Sequence, residues 1–190
     1  LFNCRNRNTM KQQYFQKFII LTFCFFVSSI SAIKAQEISI FDIAREGTIE
    51  QLKSAVKENP NSINEVSKEG HAPLTLACYY SNFEVAKYLI KHVQDVNSKS
   101  GYGSALMAAT VKKNTELVKL LLENNANPDA IDKNGSTALH FAVIFGYEEI
   151  IKLLVDVKAD SSLKDNRGNT AIDYAKITGN KKITQLLKQQ

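Results

Sequence analysis

The sequence predicts an all-α protein, a solenoid of about five helix-turn-helix units joined by short hairpin-like turns. Three observations carry that prediction. Four similar segments recur, with leading apolar residues Leu74, Leu106, Leu139 and Ile172 spaced 32, 33 and 33 residues apart. A second block follows each of them, with apolar residues at i, i+3 and i+4, as in Val118, Leu121 and Leu122, the spacing of one helix face. The last block closes on Lys181, Lys182, Gln185, Lys188, Gln189 and Gln190, the polar outer surface that a stack of repeats needs at its end.

From the N-terminus, residues 1–35 read as a leader. Residues 1–9 precede Met10 and read as lying upstream of the true start. Lys11 and Lys17 form a positive n-region and Phe18–Val27 an apolar run. Small residues at Ser28, Ser29, Ser31 and Ala32 follow, with cleavage predicted after Ala35. The apolar stretch Phe18–Ile33 is 16 residues long. A membrane-spanning helix needs roughly 20, which disfavours the rival reading of a retained anchor. The segment resembles a bacterial secretory signal peptide, which implies a periplasmic or secreted mature protein that meets a membrane only through this segment, if uncleaved. Cys4 and Cys24 leave with the leader, so Cys78 has no partner for an intrachain disulfide.

Residues 36–190 read as the repeat domain, with units at about 38–66, 67–98, 99–131, 132–164 and 165–190. The first is divergent and holds Ala44, Gly47 and Leu52. The other four open on Gly70-His-Ala-Pro-Leu-Thr-Leu-Ala77, Tyr102-Gly-Ser-Ala-Leu-Met-Ala-Ala109, Gly135-Ser-Thr-Ala-Leu-His-Phe-Ala142 and Gly168-Asn-Thr-Ala-Ile-Asp-Tyr-Ala175. Ser104, Thr137 and Thr170 stand just ahead of apolar blocks, placed to accept backbone N–H bonds as helix N-caps. Pro73 suits a first helical position, where no N–H is required. Gly146 and Gly179 fall where the first helices must end in a left-handed residue.

These motifs resemble the ankyrin-repeat family. Thr137-Ala-Leu-His140 and Ala72-Pro-Leu-Thr75 match its Thr-Pro-Leu-His motif, and Asn127-Pro-Asp129 and Lys158-Ala-Asp160 match its Gly-Ala-Asp turn. The resemblance runs from about Ile38 to the C-terminus. Tyr102 departs from it by standing where the third turn should hold Gly, and only His140 occupies the motif's His position.

Charge and motif content exclude several functions. The formal charge is +5, but Arg5, Arg7, Lys11, Lys17 and Lys34 carry it, and 19 basic and 19 acidic residues remain from Gln36 onward. A balanced surface offers no footprint for nucleic acid. With no Trp, three Pro and eight Gly, the chain is neither collagen-like nor disordered. His71, His92 and His140 lack metal-ligand spacing, so no metal is expected. Gly101-Tyr-Gly103 lacks the third Gly of a dinucleotide loop, and no Walker sequence or nucleophile elbow is present, so no cofactor is expected. Cys78 sits at a small-residue position and reads as core. Asn134-Gly-Ser136 is formally a glycosylation sequon and reads as a turn.

The resemblance implies a concave face lined by the first helices and the hairpin tips. Residues just after the small pair on each first helix point into it: Tyr79 and Tyr80, Val111 and Lys112, Ile144 and Phe145, Ile177 and Thr178. Apolar side chains at solvated positions mark interaction surfaces, and Tyr is enriched at hot spots. The competing view packs some of these side chains, Ile144 and Phe145 and also Tyr79 and Tyr80, back against the neighbouring unit. The tips add Lys68, Glu69, His71, Tyr102, Lys133, Asn134, Asn166 and Arg167. The expected function is therefore non-catalytic protein binding by a monomer. Tyr79, Tyr80, Val111, Lys112, Ile144 and Phe145 serve as the groove, with Tyr102, Lys133, Asn134 and Arg167 at its rim. The alternatives are an enzyme or small-molecule binder using Cys78 or His140, and a self-association scaffold.

Overall fold

The computed structural model describes residues 38–98, 100–101 and 103–188. The leader, its cleavage point and Tyr102 lie outside the described residues. Among the described residues there are ten α-helices, one 3-10 turn at Ser62–Asn64 and no strand. The helices come in pairs: α1 (Ile40–Glu46) with α2 (Ile49–Glu58), α3 (Pro73–Tyr79) with α4 (Phe83–His92), and α5 (Ala105–Val111) with α6 (Thr115–Glu123). Two more pairs follow, α7 (Ala138–Ile144) with α8 (Glu148–Asp156), and α9 (Ala171–Ile177) with α10 (Lys181–Leu187). First helices stack on first helices and second helices on second, so the main contacts run between adjacent units.

The local sequence explains why each first helix starts where it does. Ser104, Thr137 and Thr170 accept the N–H of Met107, His140 and Asp173, and Pro73 opens α3. Thr137–His140 and Thr170–Asp173 are reciprocal capping boxes, satisfying two otherwise orphaned donors each. Small side chains explain the close stacking. Ala44, Ala77, Ala109, Ala142 and Ala175 are completely buried, one on every first helix, and let neighbouring first helices approach. The second helices contribute the bulky core: Leu52, Leu89, Leu121, Leu154 and Leu187.

Each of the last four first helices ends in a left-handed residue. Gly146 and Gly179 fill that place with φ of +70°, as the sequence predicts. Ser81 (φ +57°) and Lys113 (φ +56°) fill it in the second and third units. A non-Gly residue there costs roughly 1–2 kcal/mol, so packing of the helix pair overrides local preference. The third tip differs from expectation in register. Gly103 is left-handed (φ +89°) and is followed at once by the N-cap Ser104. In the other tips one more residue intervenes. Ser67 N–H reaches the carbonyl of His71 and Asp132 N–H that of Ser136, whereas Ser100 N–H reaches only as far as Gly103.

A feature that sequence periodicity does not expose ties the units together behind the second helices. Asn64 Oδ1 accepts the N–H of Gln94 (2.9 Å), Asn97 Oδ1 that of Asn127 (2.6 Å), and Asp129 Oδ1 that of Asp160 (2.7 Å). Each bond spans one repeat. Among the described residues no helix is long and apolar enough to cross a membrane.

Candidate functional site

The first helices present one face outward. Residues four apart share a helix face, which groups Leu76 with Tyr80, Ala108 with Lys112, Phe141 with Phe145 and Tyr174 with Thr178. Toward the hairpin tips this face is closed in the middle units, where Leu76 and Ala108 are buried. At the other end, where each helix stops, it is open: Tyr80 is 52% exposed, Ile144 40%, Phe145 48% and Ile177 70%. Ile144 and Phe145 therefore do not fold back into the stack.

These side chains meet across units. The Tyr79 and Tyr80 rings meet edge to face at 5.4 Å. Lys112 Nζ, from the next unit, sits 4.4 Å from the centroid of the Tyr79 ring, a cation–π contact that fixes the half-buried Tyr79. Val111 is half-buried and forms the floor beside Lys112. Phe145 stacks on Tyr147 at 5.5 Å, and Lys113 Nζ lies 5.4 Å from the Tyr147 centroid. The result is an aromatic strip laced with lysines along one edge of the second, third and fourth units.

Sequence reasoning missed Tyr147, although a signal for it existed. Asn82, Asn114 and Asn180 occupy the equivalent N-cap positions of three other second helices, and Thr48 that of α2. Asn114 and Asn180 accept from the N–H groups of Leu117 and Ile183, and Asn82 reaches back to the carbonyls of Ile43 and Gly47. Tyr147 makes no side-chain cap bond. A missing cap costs about 1 kcal/mol, offset in part by Glu148 and Glu149 beside the positive helix end. A tyrosine at a capping position adds ring surface where folding would favour asparagine.

The tips form a separate set, one helix away. A seven-residue helix spans about 10 Å. Lys133, Asn134 and Arg167 are exposed there. Asn134 is committed to the tip itself: its N–H and side-chain amide both donate to Asp132, and its carbonyl accepts from Asn166 N–H at 2.9 Å. Arg167 uses only its backbone N–H, donated to Asp165, which leaves the guanidinium outward. His71 is buried rather than a rim residue.

Below the tips, His140 pins the fourth unit to the fifth, and Asp165 braces the start of the fifth unit. The His140 ring is buried. Its Nδ1 accepts from the N–H of Thr137, which leaves Nε2 to donate to the Asn169 carbonyl at 3.2 Å. Asp165 is buried and accepts from the N–H groups of Arg167 and Asn169 and from the Tyr174 hydroxyl. The Tyr174 bond, then the backbone bonds, hold its carboxyl below the usual carboxylate range. A depressed folded-state value means that the ionised form adds stability above the unfolded value, near 4, and that this stability is lost as pH falls through the lower folded value. Asp173 is held lower still, at about 2, by the Thr170 hydroxyl and backbone. We expect Asp165→Asn to lower the urea midpoint at neutral pH and to flatten its decline below about pH 4. A variant with an unchanged acid limb would show that the Tyr174 bond does not set it.

Neither nucleophile candidate is placed for chemistry. Cys78 is completely buried, and burial pushes its thiol up to about 12, far from a reactive thiolate. Both ring nitrogens of His140 are engaged in the fold. Among the described residues no group of His, Cys, Asp and Glu could hold a metal ion. An open cleft lies between the third and fourth tips, lined by Gly101, Gly103, Ser104, Asp129 and Asp132. Its two carboxylates accept backbone N–H bonds from Asp160, Asn134 and Ser136, which turns them toward the frame rather than toward a ligand.

A family model described as ankyrin repeats (3 copies) matches residues 40–132 and 106–190. The chain is similar to ankyrin repeat and SAM domain-containing protein 6 of Rattus norvegicus, with 34% identity over 107 residues, covering 55% of this chain and 12% of that protein. It is similar to serine/threonine-protein kinase TNNI3K of Mus musculus, with 37% identity over 102 residues, covering 50% and 12%. It is also similar to E3 ubiquitin-protein ligase hecd-1 of Caenorhabditis elegans, with 31% identity over 100 residues, covering 53% and 4%. The chain thus spans no more than 12% of the length of these three relatives.

Proposed function

The chain belongs to the ankyrin-repeat family, whose repeats are generally protein–protein interaction modules, and we propose that it is a secreted or periplasmic, non-catalytic module that grips a protein partner through its concave, first-helix face. One observation carries this: large apolar side chains stay exposed at two adjacent positions where the first helices end, Tyr80 and Phe145 at one and Ile144 and Ile177 at the other. Folding alone favours polar residues there. Aromatic anchors with limited rotamer freedom lose little entropy on binding, and their truncation is costly at an interface. The secretory half of the proposal rests on the leader pattern of residues 1–35. The non-catalytic half is supported by the burial of Cys78 and the engagement of His140.

The test uses the chain from Gln36 onward as bait against a periplasmic extract of the source organism. Wild type is compared with the double variant Tyr80→Ala/Phe145→Ala. A dominant protein held by wild type is expected to weaken by about tenfold or more in the variant, while the unfolding curve barely moves because both side chains are half-exposed. Equal retention of the same proteins by both baits would end the groove proposal. Light scattering of the bait alone, which should report a monomer, separates it from a self-association scaffold.

A further inference from the structure

We infer that the segment this face takes is acidic: a loop or terminus of a protein carrying Asp or Glu among aliphatic or aromatic residues, seated with its carboxylates toward the third to fifth units. This rests on the proposal that the first-helix face binds protein, and it adds the charge of the occupant. From Gln36 onward the chain is neutral overall, yet its charges are not evenly placed. In the third to fifth units the exposed strip-end and outermost tip positions carry Lys112, Lys133 and Arg167 and no carboxylate.

The carboxylates of the fourth and fifth tips and of the first turn of α9 are already committed. Asp132 and Asp165 accept backbone N–H bonds inside their own tips. Asp173 closes the capping box of α9 and pairs with Lys176. None of the ion pairs among the described residues involves Lys112, Lys133 or Arg167. Toward the other end of the same face the charge is mixed, with Glu46, Lys68 and Glu69 exposed. A segment lying along the third to fifth units would therefore meet apolar side chains with Lys112 among them and Lys133 and Arg167 at the tips, and like-charge contact would disfavour a basic sequence there. Lys112 contributes twice, since its ammonium lies over the Tyr79 ring and, being exposed, can also meet an incoming carboxylate.

A random peptide library displayed on phage, selected against the chain from Gln36 onward, tests the inference without a known partner. Selected peptides are expected to be enriched in Asp and Glu together with Leu, Phe or Tyr. Their binding should fall by about tenfold or more in the charge-reversal variant Lys112→Glu/Lys133→Glu/Arg167→Glu, and should be lost in Tyr80→Ala/Phe145→Ala. Enrichment of neutral or basic peptides that still need Tyr80 and Phe145 would overturn the charge assignment and leave the groove standing. Peptides indifferent to Tyr80 and Phe145, or no enrichment at all, would overturn both. Circular dichroism of each variant confirms that a loss of binding is not a loss of fold.

Discussion

Gly135→Ala is expected to destabilise the protein by about 3 kcal/mol or more, while Gly168→Ala, at the same place in the next unit, costs only about 1–2 kcal/mol. Both glycines are left-handed, with φ of +74° and +83°, so any side chain brings backbone strain. The surroundings differ. A Cβ on Gly135 would stand 2.8 Å from Asn166 Oδ1, 3.1 Å from Asn166 N and 3.2 Å from Asp165 Cα, while a Cβ on Gly168 meets nothing within 4 Å. The Asn166 backbone cannot easily yield. Its N–H donates to the Asn134 carbonyl at 2.9 Å, and its side chain holds the Lys133 carbonyl at 3.1 Å. Urea unfolding of the two variants isolates the steric part as a difference. Equal losses would mean that the fourth and fifth tips are not in close contact.

Leu121→Ala is the second large effect. Leu121 is completely buried in α6, the second helix of the central unit, between α4 and α8. Truncating a buried leucine costs about 2–5 kcal/mol, depending on how far the site collapses. In a stack held by nearest neighbours the position of the cavity also matters. A cavity in the middle weakens two interfaces and should expose amides in units two and four to hydrogen exchange along with unit three. Leu187→Ala, in the last helix, weakens only one interface and should loosen the fifth unit alone. Extra exchange confined to residues 115–123 in Leu121→Ala would contradict a neighbour-coupled core.

Most of the frame was legible because it repeats. Ser104, Thr137 and Thr170 cap where their place before an apolar block says they should, and Gly146 and Gly179 turn left-handed as their type allows. Non-repeating choices were harder. A missing residue at the third tip is ambiguous in one dimension, since Gly101 and Gly103 flank Tyr102, and only the φ of Gly103 settles which one turns. Lys113 shows no sign in sequence of a left-handed backbone, because the packing of its helix pair imposes it. The candidate face was visible as apolar residues after each small pair. How those residues meet was not: Lys112 over Tyr79 and Phe145 against Tyr147 depend on side-chain directions that spacing does not fix.

The bonds from Asn64, Asn97 and Asp129 to the unit after each also bear on how the molecule would respond to load. Each staple holds one neighbour, and none reaches beyond it. Tension applied between the two ends of the repeat array would fall on these staples one after another, so the array would lengthen in discrete steps of one repeat. The surviving units would keep their shape while others peel away.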